Sequence, residues 1–84
     1  KVIAKYFPEG PDGPISEYPL KEKRRVIILT KVIEKFDRNR EYSEKEVNEI
    51  LKEVYPDYAM LRRHLVEYGF MDRIPDGSTY WVLT

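Results

Sequence analysis

Residues 57–81 constrain the chain most: Asp-Tyr-Ala-Met-Leu-Arg-Arg-His-Leu-Val-Glu-Tyr-Gly, then Phe-Met-Asp-Arg-Ile, Pro-Asp-Gly-Ser and Thr-Tyr-Trp. Asp57 is a helix cap, and Pro56 turns Tyr55 away from helical geometry. Tyr58, Leu61, Leu65 and Tyr68 then fall on one helical face, with Ala59, Met60, Arg63 and Glu67 on the other. Gly69 supplies the positive φ that ends such a helix. Residues 70–74 and 79–83 read as strands joined at Asp76-Gly77, a hairpin turn signal.

Two helical patterns come earlier. Residues 21–37 place Val26, Leu29, Val32, Ile33 and Phe36 on a buried stripe, with Arg25 at its margin. Pro19 precedes this helix, where proline is tolerated. Arg24, Lys31, Lys35 and Arg38 line the opposite face, which reads as solvated or as a seat for phosphate or an acidic partner. Ser43-Glu44-Lys45-Glu46 is a capping box, and Val47, Ile50, Leu51 and Val54 follow as the next buried stripe. Glu46, Glu49 and Glu53 share one exposed side. Tyr42 reads as a hydrophobic staple or as a short strand between the first two helices.

Three helices followed by a hairpin is the order of a winged helix-turn-helix, an α+β fold. The chain is short enough for one domain. Residues 1–20 form an N-terminal arm or hairpin, 21–69 a three-helix body and 70–84 the wing. In the arm, 2–7 and 15–18 are apolar pieces separated by Pro8-Glu9-Gly10-Pro11-Asp12-Gly13-Pro14, a turn-making run. They read as a loose arm or as two short strands packed on the helices. The second reading is preferred, because Ile3, Tyr6, Phe7 and Ile15 need cover. The first residue is Lys1, not Met, so a domain cut from a larger chain is expected.

Formal net charge is zero, but residues 21–40 carry a net +5 and residues 41–60 a net −4. Zero net charge counts against strong non-specific binding to nucleic acid, because phosphate contacts supply most of that affinity. The absence of Cys removes disulfides and thiolate metal sites, and fits a cytoplasmic location. One His alone makes a metal site improbable. The serines have no evident base partner, and no phosphate-binding glycine loop is present. No enzyme activity, cofactor, small-molecule ligand or membrane association is therefore expected.

The second half resembles a bacterial domain of unknown function that occurs alone and fused to transcriptional regulators. The matching residues are Tyr42-Ser43-Glu44, Glu46-Val47-Asn48, Asp57, Leu61-Arg62-Arg63, Leu65-Val66, Gly69, Arg73, Gly77 and Tyr80-Trp81. Phe7, Gly13 and Pro19-Leu20-Lys21 extend the likeness upstream. The resemblance implies a winged-helix-like fold and a link to transcription, with no established chemistry.

The expected function is the winged-helix domain of a prokaryotic transcriptional regulator that contacts double-stranded DNA. Arg63 and Arg62 would be readers or phosphate clamps, and Arg73, Lys21 and Arg24 backbone contacts. Arg62 has a second reading, with its stem buried and its head paired to a carboxylate. The alternative function is an interaction or dimerisation module without DNA contact, its partner a second copy or a fused regulatory domain. Strand alternation allows only one of Tyr80 and Trp81 to face the core. Tyr80, with Tyr18, is the candidate for an aromatic interaction surface.

Overall fold

A computed structural model describes residues 5–10 and 13–83. Helix α1 spans Glu22–Val32 and tightens into a 3₁₀ turn at Ile33–Lys35. Strand β1 is Glu41–Tyr42, helix α2 Glu44–Leu51, helix α3 Tyr58–Glu67, and strands β2 and β3 are Met71–Arg73 and Tyr80–Val82. The strands form one antiparallel sheet in the order β1-β3-β2. Among the described residues from 13 on, the molecule is thus a small α+β arrangement of three α-helices and a three-stranded sheet.

The expected helix α1 is present, turned about its axis. Ile28, Leu29, Val32 and Phe36 are buried, whereas Val26 is 40% exposed. Val26-Ile27-Ile28-Leu29 is a continuous apolar run, so two rotations fit a helical period equally well. Packing against the other elements selects the one that buries Ile28.

After α1 the chain turns at Asp37, whose carboxylate accepts from the Asn39 N–H at 2.8 Å. Tyr42 enters β1 with its ring edge-on to Phe36 at 5.2 Å, and its hydroxyl accepts from the Asp37 N–H at 2.7 Å. It is a strand residue, one of the two roles expected. The capping box opens α2 as the sequence requires: Ser43 Oγ accepts from the Glu46 N–H at 3.1 Å, and Glu46 Oε1 accepts from the Ser43 N–H at 2.9 Å. The helix stops at Leu51, and Val54 reaches the core from the following turn.

Helix α3 is capped by Asp57, which accepts from the Met60 N–H at 3.2 Å. Leu61 and Leu65 are fully buried, and Met60, expected on the outer face, packs partly against the core. At the other end Gly69 has φ +82°. The Gly69 N–H donates to the Val66 carbonyl and the Phe70 N–H to the Leu65 carbonyl, the paired bonds of a Schellman stop.

The hairpin is longer-looped than Asp76-Gly77 alone suggests. Met71 pairs with Val82, Asp72 with Trp81 and Arg73 with Tyr80, leaving residues 74–79 as the loop. Within it the Gly77 N–H donates to the Ile74 carbonyl at 2.9 Å.

The N-terminal arm departs from the expected hairpin. Among the described residues of 1–20 there is no strand, and Lys5 and Tyr6 are helical. Residues 2–4 of the expected first strand lie outside the described residues. Single hydrogen bonds replace a ladder: the Ile15 N–H donates to the Val54 carbonyl and the Ser16 N–H to the Tyr6 carbonyl, each at 2.9 Å. Tyr6, Phe7 and Ile15 nevertheless do what their apolarity demands, all three being part of the core.

Candidate functional site

Helix α3 presents Ala59, Arg63 and Glu67 to solvent, because Leu61 and Leu65 occupy the opposite face. An open cleft of about 450 Å³ lies between this helix and the hairpin. It is lined by Arg62, Arg63, Val66 and Glu67 from α3, Glu44 from α2, and Arg73 and Tyr80 from the hairpin. Three of the five cationic residues singled out in the sequence therefore meet in one place.

Their roles differ. Arg62 is half-buried, donates to Asn48 Oδ1, and has its Nε 4.0 Å from Glu44 Oε2. Glu44 and Asn48 are one helical turn apart on α2, so this guanidinium ties α3 to α2. The buried-stem reading of Arg62 holds, and its head is occupied. Arg73 is exposed on β2 and donates from Nη1 to the Pro75 carbonyl at 3.3 Å. Arg63 is exposed and forms no hydrogen bond or ion pair among the described residues.

Glu44 is the residue the sequence did not single out. Its carboxylate accepts from the Tyr80 hydroxyl at 3.4 Å and lies against Gly77 in the hairpin loop. In the sequence it stands in the capping-box run and among the family-matching residues, with no site role. Its spacing of four from Asn48 was the available signal.

Lys21 and Arg24 do not join this cleft. They line a separate hollow of about 240 Å³ with Lys5, Tyr6, Glu17 and Tyr18. Arg24 donates there to the Tyr6 hydroxyl at 3.4 Å.

The expected aromatic surface of Tyr80 and Tyr18 is not a surface. Tyr80 is 3% exposed, because β3 pairs it with Tyr42, which faces the helices. Alternation puts Trp81 on the outer side of the sheet, between Glu41 and Asp72. Tyr18 is half-buried against Tyr55 and His64, and its hydroxyl shares a 2.8 Å hydrogen bond with His64 Nδ1. Burial pushes the Tyr18 phenol up to about 12, against a smaller opposing effect of Arg25. Burial also lowers the pKa of His64, and the Arg25 guanidinium adds to that.

A family model described as an uncharacterized protein conserved in bacteria (DUF2087) matches residues 14–82. The chain belongs to that family. The match spans α1 to β3 and therefore every element that builds the cleft. No curated protein and no solved structure matches the chain. Among the described residues, no helix is long and apolar enough to cross a membrane.

Proposed function

We propose that this domain is a winged helix-turn-helix that contacts double-stranded DNA as part of a bacterial transcriptional regulator. The element order supports the fold: helix, short strand, helix, helix and hairpin, with the short strand completing the sheet on β3. In that arrangement α3 is the helix offered to the major groove and the hairpin flanks the backbone.

The observation that carries the reading is the pairing of Arg63 and Arg73 on one open cleft. They come from the two elements that such a fold brings to DNA, and both guanidinium groups face solvent. Arg63, with no competing partner, is suited to a bidentate contact with guanine or phosphate. Arg73 is a phosphate contact. Arg62 acts as a positioning residue, because Asn48 and Glu44 already hold it. Lys21 and Arg24 line another hollow and take no part.

Glu44 and Glu67 on the same cleft, and the zero net charge, keep such binding weak. Two phosphate contacts give a slope of roughly −2 in log affinity against log salt. Fluorescence anisotropy of a labelled duplex, titrated at low and then moderate salt, tests this. The expected result is salt-steep binding that Arg63→Glu abolishes without unfolding the domain. Absence of binding by the wild type at low salt would remove the DNA reading.

A further inference from the structure

The two carboxylates of the cleft are differently placed. Glu44 is engaged within the molecule: it accepts from the Tyr80 hydroxyl at 3.4 Å and lies 4.0 Å from the Arg62 Nε. Glu67 is exposed on α3 and forms no hydrogen bond or ion pair among the described residues. Arg63 stands one helical turn before it on the same exposed face, lines the same cleft and forms none either. A cation four residues ahead of a glutamate is the weaker order for a pair along a helix, and no such pair forms between them. His64 lies nearby, but burial and Arg25 lower its pKa, so it is uncharged at neutral pH and leaves the Glu67 charge standing. The outer face of α3 therefore offers a guanidinium and a carboxylate side by side, both uncommitted.

A carboxylate brought to DNA is repelled by the phosphates, so it costs affinity wherever it does not meet a hydrogen-bond donor. Base edges in the major groove offer two donors, the cytosine N4 amino group and the adenine N6 amino group. Adenine sets its N7 acceptor beside that amino group, where a carboxylate is repelled again. Guanine and thymine meet it with acceptor oxygens. Cytosine presents the donor alone. We infer, resting on the DNA reading of this cleft, that Glu67 is a specificity-determining residue: it accepts from a cytosine N4 amino group while Arg63 donates to the O6 and N7 of a neighbouring guanine. The two residues are about 6 Å apart along α3. With the helix lying along the groove, the guanine and the cytosine are then about two base steps apart. The negative charge thus does more than weaken binding. It excludes every site that would leave it opposite an acceptor, and so selects G·C pairs at the contacted positions.

The test is selection by the full chain from labelled duplexes with a randomised core. Anisotropy titrations of the enriched sequence, and of versions altered at single pairs, follow. The wild type is expected to enrich a cytosine, and exchanging it for thymine should weaken binding by at least about fivefold. Glu67→Ala should bind unselected duplex more tightly, having lost a repulsive charge, and should no longer distinguish that cytosine. Glu67→Gln carries the donor and acceptor that adenine N7 and N6 require, so its preference should move to adenine. Glu67 is on the surface, so circular dichroism of both variants should stay that of the wild type. An enriched pool without a cytosine preference, or a preference that Glu67→Ala leaves unchanged, overturns the inference while the DNA reading stands. Absence of binding to any duplex at low salt, by the wild type and by Glu67→Ala, overturns both.

Discussion

Gly77 has φ +77°, and a Cβ there would lie 3.4 Å from Glu44 Oε2 and 3.7 Å from Arg73 Nη1. The backbone angle demands glycine, while the neighbours stand at ordinary contact distance. Gly77→Ala should cost about 1–2 kcal/mol in urea denaturation. Gly69 has a similar angle but open space around it, so Gly69→Ala should lower stability without touching the cleft. His64 shows what one residue's letter conceals. Its partner Tyr18 lies 46 positions away, so no local pattern reveals the bond. Burial, helped by Arg25, lowers the folded-state pKa of His64 below its ordinary 6.5. The folded state therefore resists protonation more than the unfolded state does. The resulting stability is present above pH 6.5 and is lost as pH falls through the lower folded value. Thermal melts of the wild type should decline over that interval, and those of His64→Gln should not.

At the scale of elements, local chemistry and packing divide the work. The start of α2 and both ends of α3 were legible because Ser43, Glu46, Asp57 and Gly69 act on backbone groups within a few residues. Ser43→Ala should cost about 1 kcal/mol, measured by denaturant unfolding. The N–H bond from Ser43, with Arg40 adding to it, holds Glu46 below the usual carboxylate range. A depressed carboxylate stabilises above its unfolded pKa, here 4.5, and that contribution disappears as pH falls through the folded value. Glu46→Gln should therefore flatten the acid limb of the stability curve. The rotation of α1 was not legible. Four consecutive apolar residues leave the angle open, and only packing into the common core determines which two of them are covered.

For the molecule as a whole, the arm is the informative part. The family match begins at residue 14, yet Tyr6 and Phe7 are 3% and 2% exposed in the core. Deleting residues 1–13 should cost several kcal/mol, seen as a large drop in melting temperature, because it strips two aromatic side chains from a small core. An arm that merely hung from the domain would leave the melt unchanged. Net charge belongs to this scale too. It sums to zero while cations and carboxylates stand side by side at the cleft, an arrangement that composition could not place.

By itself the sequence determined the order of the elements from residue 21 on, the caps of α2 and α3, the glycine stop of α3, and the α+β class. Those depend on interactions that span a turn or two of chain. Only the tertiary structure decided which arginines share a cleft, that Arg62 is engaged by Asn48 and Glu44, that Tyr80 and not Trp81 faces inward, and which side of α1 remains bare. Each of these depends on residues distant in sequence, brought together by burial of a common core that no single segment specifies.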